Sequence, residues 1–132
     1  MQSSPLKHEH SIVSSEEGKV DLDFSLFIEH FSEDSAFQLN RTKFPLKITR
    51  YDLVDDKETI IYKSRSKFNI LDFRIKKSNS RYDKWTQEIV MDKTKNKATI
   101  EINGIENGIM VEYYFEKIAG KWLLVGIRDS ST

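Results

Sequence analysis

Between Lys97 and Asp129 apolar and polar side chains follow one another with a period of two. Ala98, Ile100 and Ile102 alternate with Thr99, Glu101 and Asn103, and Ile109, Val111, Tyr113 and Phe115 oppose Met110, Glu112, Tyr114 and Glu116. This is the period of half-buried strands. Asn107-Gly108 supplies two residues that tolerate positive φ, as a type I′ hairpin requires, while Asn103-Gly104 offers a bulge instead. Ala119-Gly120 marks a second tight turn. Beyond it Trp122, Leu123, Leu124 and Val125 run without alternation. A strand apolar on both faces is expected to be covered on both: one cover a helix, the other a pocket wall or a partner subunit. The stretch predicts three successive antiparallel strands at the centre of a curved sheet.

Upstream the period changes. Phe24, Phe27, Ile28 and Phe31 stand at i, i+3, i+4 and i+7, a single stripe of an amphipathic helix, with Asp21 as its expected N-cap. Ser25, Glu29 and His30 fall off the stripe. Ser32 to Arg41 predicts a second short helix, on which Phe37 and Arg41 share a face. Lys43 to Ile48 alternates as a strand, and Pro45, lacking an N–H, places it at an edge or a sheet margin. Lys57–Lys63 reads as a strand after the turn at Asp55-Asp56. Phe68–Ile75 reads as either a strand or a short helix. Residues 76–84 form a basic polar loop, and Trp85–Met91 is a strand ending in the lysine-rich turn from Asp92 to Lys97. The domain expectation is a flexible leader over residues 1–20 and one α+β domain over 21–132.

Composition narrows the chemistry. The 132 residues hold no cysteine, which excludes disulfides, thiolate metal sites and cysteine nucleophiles. No apolar run approaches the ~20 residues of a membrane span, and Met1–Pro5 lacks the apolar segment of a signal peptide. His8 and His10 stand without carboxylate-histidine spacing, so no metal site is expected. The net charge is zero but unevenly spread. Residues 1–40 hold 2 basic and 8 acidic side chains, a balance of −6; residues 41–84 hold 13 and 6, a balance of +7. The two parts are expected to neutralise one another in the fold. The alternative is a basic patch of Lys63, Arg65, Lys67, Lys76, Lys77, Arg81 and Lys84, interleaved with Tyr82 and Trp85. Nucleic acid is not the expected partner, because no recognition motif accompanies the charge.

Helices first, then long antiparallel strands ending in Phe115-Glu-Lys-Ile-Ala-Gly-Lys-Trp122-Leu, resembles the nuclear transport factor 2-like superfamily. Within it, Asp34-x-x-Phe37-Gln38-x-x-Arg41-x-x-Phe44-Pro45-Leu46, with Trp122-x-Leu124 and Asp129-x-Ser131, is similar to a bacterial family of unknown function, often exported or lipid-anchored. The match spans about residues 21–131. The resemblance implies N-terminal helices packed on a strongly curved antiparallel sheet, a cone with a cavity. It leaves the compartment open between the bacterial envelope and the cytoplasm.

Enzymes of that superfamily place an Asp or His base inside the cone. The candidates for such work here are His30, Asp34, Asp52, Asp72 and Asp129. Asp34 is expected to cap the second helix, and Asp129 to pair with Arg41 or Arg128. There is no G-x-G-x-x-G, P-loop or H-E-x-x-H, and no cofactor is expected. The reading is therefore a non-catalytic binding or interaction module, for a small apolar or amphipathic ligand or a protein partner, with a homodimer through the sheet as one form of that partner. Its candidate pocket residues are Gln38, Arg41, Tyr113 and Trp122. The alternative is a cavity enzyme of the isomerase or cyclase type with a buried carboxylate as general base.

Overall fold

A computed structural model describes residues 19–75 and 84–132, together with the backbone of Lys77–Ser78. The expectations for residues 1–18, with His8 and His10, and for most of the basic loop lie outside the described residues. A helical turn at residues 19–22 leads into α1 (Phe24–Glu33) and α2 (Ser35–Asn40). Seven strands follow among the described residues: β1 (Thr42–Asp52), β2 (Lys57–Lys63), β3 (Lys77–Ser78), β4 (Trp85–Met91), β5 (Lys97–Gly104), β6 (Met110–Ile118) and β7 (Lys121–Asp129). They form one curved, unclosed sheet in the order β2-β1-β7-β6-β5-β4-β3. With β1 drawn running upward, the β4–β5 and β6–β7 turns lie along the lower rim. The β1–β2 and β5–β6 turns lie along the upper rim.

The phenylalanine stripe does what its spacing requires. Phe24, Phe27, Ile28 and Phe31 are all buried, and the rings of α1 meet Phe115 of β6 edge-on at 5.2–6.0 Å. Phe24 also stands 4.9 Å from Trp122 of β7. Edge-to-face packing of this kind adds to area burial. α1 therefore sits over the centre of the sheet, and the hollow of the curve is filled by Phe24, Phe27, Phe31, Phe73, Phe115 and Trp122.

Several expectations are corrected. The sheet is mixed, because β1 pairs with β7 in parallel; every other neighbouring pair is antiparallel. A parallel pair needs a long crossover, and residues 53–120 supply it. β1 is consequently an interior strand. Pro45 is tolerated because five residues of β1, Thr42 to Lys47, advance past only two of β7, Leu124 to Gly126, and the ladder with β2 begins at Leu46. Residues 68–75 are neither strand nor helix. At its two buried anchor points, backbone groups of this segment are met by side chains from elsewhere: Gln38 bonds both the N–H and the C=O of Leu71, the Phe73 N–H donates to Ser32 Oγ, and the Phe73 C=O accepts from Gln87.

α1 is capped by Asp23, whose carboxylate accepts from the Ser25 N–H at 2.9 Å, and not by Asp21. The β5–β6 connection is longer than two residues: Gly104 N–H donates to Ile109 C=O, and Glu106 and Gly108 carry the positive φ. Ala119-Gly120 does close a two-residue turn with both φ positive, 51° and 79°. In β7 the covered face holds Trp122 and Leu124, while Leu123 and Val125 on the other face stay half-exposed. Val125 is the extra residue of a bulge opposite Tyr114 and Phe115.

Candidate functional site

Three of the four expected pocket residues are buried and hold the framework. Gln38 is wholly enclosed and donates to Phe31 C=O and Leu71 C=O at 2.8 Å each. Arg41 makes a two-pronged ion pair with Asp21, at 2.6 and 2.9 Å, and its guanidinium lies over the Phe37 ring. Asp21 also accepts the Trp122 N–H at 3.0 Å, while Arg41 donates to the Trp122 C=O at 3.3 Å. Arg41, Asp21 and Trp122 thus form one buried unit that pins the entry to α1 onto the start of β7. Sequence reasoning missed Asp21 as its partner, since two aspartates precede the stripe and either fits a cap. Tyr113 stands apart, 4.9 Å from Phe73 and edge-on to it. Burial, and then the nearby Asp129 charge, raise its phenol above the ordinary value.

The candidate bases have other work. Asp34 caps α2 through the Phe37 N–H, as expected. Asp52 accepts the N–H groups of Val54 and Asp55 in the β1–β2 turn. Asp72 is exposed and bound by Arg74 on both oxygens, and these bonds hold its carboxyl down at about 2. His30 packs edge-on against Phe37 at 4.4 Å on the helix exterior. Asp129 accepts the Ser131 N–H, whereas Arg128 pairs with Glu58. Among the described residues Asp21 is the one buried carboxylate, and it is fully engaged. The described residues also hold no group of three ligating side chains suited to a metal.

The concave face has one uncovered flank. Cross-strand register places Ile48, Ile127, Tyr113, Ile100 and Ile89 in one row. Leu124, Phe115, Ala98 and Met91 form the next. Ile48, Ile100, Leu124, Phe115 and Ala98 are buried and Tyr113 and Ile127 half-buried, and both rows then open on β4, where Ile89 is 36% and Met91 39% exposed. The cause is the position of α1, which stands over β6 and β7 and does not reach β4. Between α1 and β4 lies a groove of about 550 Å³. Its apolar floor is Phe24, Trp122, Ile89 and Met91, and its lower lip carries Lys95 and Lys117. Ser25 continues it along α1 into a smaller cleft beside Ile28 and Phe73. Of the four expected pocket residues, Trp122 is the one that reaches this groove.

Among the described basic side chains singled out from sequence, Lys63 ends β2 and Lys84 precedes β4, at opposite flanks of the sheet.

Residues 7–131 match the family pattern described as Domain of unknown function (DUF4348). The chain belongs to the DUF4348 family. This DUF4348 chain is similar to a solved nuclear transport factor 2-like protein from Bacteroides fragilis, at 26% identity and TM-score 0.58. The match covers 83% of this chain but 47% of that one, so the chain spans about half of that relative's length. A cystatin-like protein from Bacteroides caccae aligns at 25% identity and TM-score 0.61, covering 80% of this chain and 74% of the other. A Bacteroides uniformis protein aligns at 22% and 0.59, with the same coverage, and speaks for the fold alone. Among curated proteins none matches. The DUF4348 chain therefore has the nuclear transport factor 2-like fold, as its helix-first order and final hairpin implied, and the family's description names no activity. Among the described residues no helix is long and apolar enough to cross a membrane.

Proposed function

We propose that this DUF4348 chain is a non-catalytic binding module for a small amphipathic ligand, an apolar chain with an anionic head. The ligand lies beside the cone's packed centre, in the groove between α1 and β4. The observation that carries this reading is the exposure of Ile89 and Met91 on the concave side of the sheet. Apolar side chains left open next to a buried core gain by being covered, at roughly 25 cal/mol per Å² of apolar surface. Ligand sites of this kind combine an apolar wall with a few placed polar groups. Lys95 and Lys117, on the lip of the groove, are the groups that would meet an anionic head.

Trp122 in the groove floor is a built-in reporter. In a Trp85→Phe background, dodecanoate is expected to change Trp122 emission saturably, and dodecanol to bind more weakly. Lys117→Ala weakens dodecanoate binding roughly tenfold, because a hydrogen bond to a charged group is worth about 1.5 kcal/mol or more. Met91→Asp abolishes it. A titration without saturation, or one indifferent to Met91→Asp, overturns the proposal.

A further inference from the structure

We infer that the outer edge of β2 takes an extended segment of a partner protein as an added strand, a segment acidic at its N-terminal end and apolar through its middle. This surface is independent of the groove, which lies toward the opposite flank of the sheet. β2 ends the sheet order and is bonded to β1 alone. Its ladder with β1 runs unbroken from Lys57 to Lys63. Every second residue of β2 therefore turns its N–H and C=O outward, where among the described residues no strand meets them.

Edges of this kind are usually shortened, bulged, broken by proline or guarded by lysine. β2 is seven residues long, without bulge or proline, and its lysines stand only at its two ends. Between them lies Thr59-Ile60-Ile61-Tyr62, all residues that favour strands. Ile60 is 45%, Ile61 41% and Tyr62 64% exposed. Register puts Ile61 opposite the buried Ile48, on the concave side, and Ile60 and Tyr62 opposite Thr49 and Lys47, on the convex side. An added strand would cover apolar side chains on both faces at once, as strand addition to a sheet edge does elsewhere.

Charge chooses the partner. Lys63 closes β2, Arg65 and Lys67 follow in the short 3-10 turn Arg65–Lys67, and Lys47 stands across from Tyr62. Arg65 donates to the Leu39 C=O and to Asn40 Oδ1, both uncharged. Among the described residues no carboxylate pairs with any of these four side chains. Asp34 caps the far end of α2. Asp52, Asp55, Asp56 and Glu58 gather with Arg50 and Lys57 at the other end of β2. At about 3.3 Å per residue Glu58 is about 16 Å from Lys63, twice the screening length of ~8 Å at physiological salt, and it is engaged by Arg128. The edge is thus basic at its lower end only. An antiparallel partner brings its N-terminal residues to that end, so the fitting sequence is acidic first and β-branched after. A second copy pairing about Ile60 would set Lys57 against Lys63, like charges face to face. A single-stranded DNA backbone would supply no donors for the outward C=O groups.

The test is fluorescence anisotropy of a labelled peptide, Asp-Asp-Glu-Val-Val-Val-Thr-Lys with blocked ends, added to the full chain, with hydrogen exchange of the β2 amides read in parallel. Saturable binding is expected, with alternate amides between Lys57 and Lys63 slowed. The same peptide with proline in place of its middle valine keeps the charge and loses the pairing, and is expected not to bind. Each exposed ion pair is worth up to about fivefold, and reversal adds repulsion, so Lys63→Glu/Lys67→Glu is expected to weaken binding at least about tenfold. The dodecanoate titration of Trp122 is expected to be unchanged in that variant. The inference is overturned if the peptide does not bind, if the proline peptide binds equally, if the double variant is indifferent, or if oligothymidylate displaces the peptide at matched charge. It is also overturned if the outward β2 amides are already protected without peptide: protection that rises with protein concentration gives the edge to a second copy, and protection independent of it gives the edge to the chain itself.

Discussion

Asp72 and Arg74 form an exposed ion pair inside one short segment, with contacts of 2.7 and 3.0 Å. The side-chain bonds from Arg74, helped by its backbone N–H, lower the Asp72 carboxyl from 3.8 to about 2. A carboxyl lowered by folding contributes stability above its unfolded value and loses it as the pH falls toward the folded one. The contribution of this pair is thus present at neutral pH and fades between about pH 4 and 2. Exposure keeps it small. A carboxyl-detected NMR titration should find the Asp72 midpoint near 2, returning toward the ordinary value in Arg74→Ala; a midpoint unmoved by that substitution would refute the assignment. Asp21 is the opposite case. It is buried with Arg41 in a unit whose members cannot be removed singly without stranding a charge, for which about 3–5 kcal/mol is usual.

Among the elements, the β6–β7 turn shows local strain that a single substitution relieves. Ala119 holds φ at +51°, a region that costs a non-glycine residue about 1–2 kcal/mol. Ala119→Gly removes that cost, offset by about 0.4–1 kcal/mol of added freedom in the unfolded chain. The expected outcome is a melting temperature raised by roughly 1–3 °C, and a lowered one would show that the alanine methyl has a packing role. This turn was legible from sequence, as were the strands around it and the α1 stripe, because each is specified by spacing within a few residues. What was not legible depends on distant partners. Residues 68–75 carry Phe68, Leu71 and Phe73 at spacings that fit either regular element. Their actual path is set by Gln38, Ser32 and Gln87, whose side chains replace a ladder. The parallel seating of β1 against β7 leaves no local signature in either strand. The groove was hidden for a related reason: Ile89 and Met91 look like ordinary inward positions, and only the placement of α1 leaves them open.

At the scale of the molecule, the fold's entry point lies a little before the first long helix. The family pattern begins at residue 7, the helical turn at 19–22 precedes α1, Val20 packs against the core, and Asp21 is buried against Arg41. A chain shortened to begin at Lys19 is expected to keep its urea stability within about 1 kcal/mol, consistent with a separable leader. One shortened to begin at Leu22 loses Asp21 and leaves Arg41 without that carboxylate, for a loss of about 3–5 kcal/mol. Equal losses in the two shortened chains would place the boundary earlier and contradict the role given to Asp21.

The position of β7 has a consequence for how the protein is made. The last of the sheet's strands to leave the ribosome lies between the first hairpin, β2-β1, and the rest of the sheet, β6-β5-β4. Until residue 129 has emerged, the nascent chain lacks the strand that joins β1 to β6, and the facing edges of those two strands have no ladder partner. Assembly then closes by insertion of a strand rich in Leu and Val between partners distant in the chain, the kind of late, non-local step that slows folding and leaves sticky intermediates. A nascent-chain chaperone bound to those waiting edges would therefore matter more here than for a fold whose neighbours in space are also neighbours in sequence.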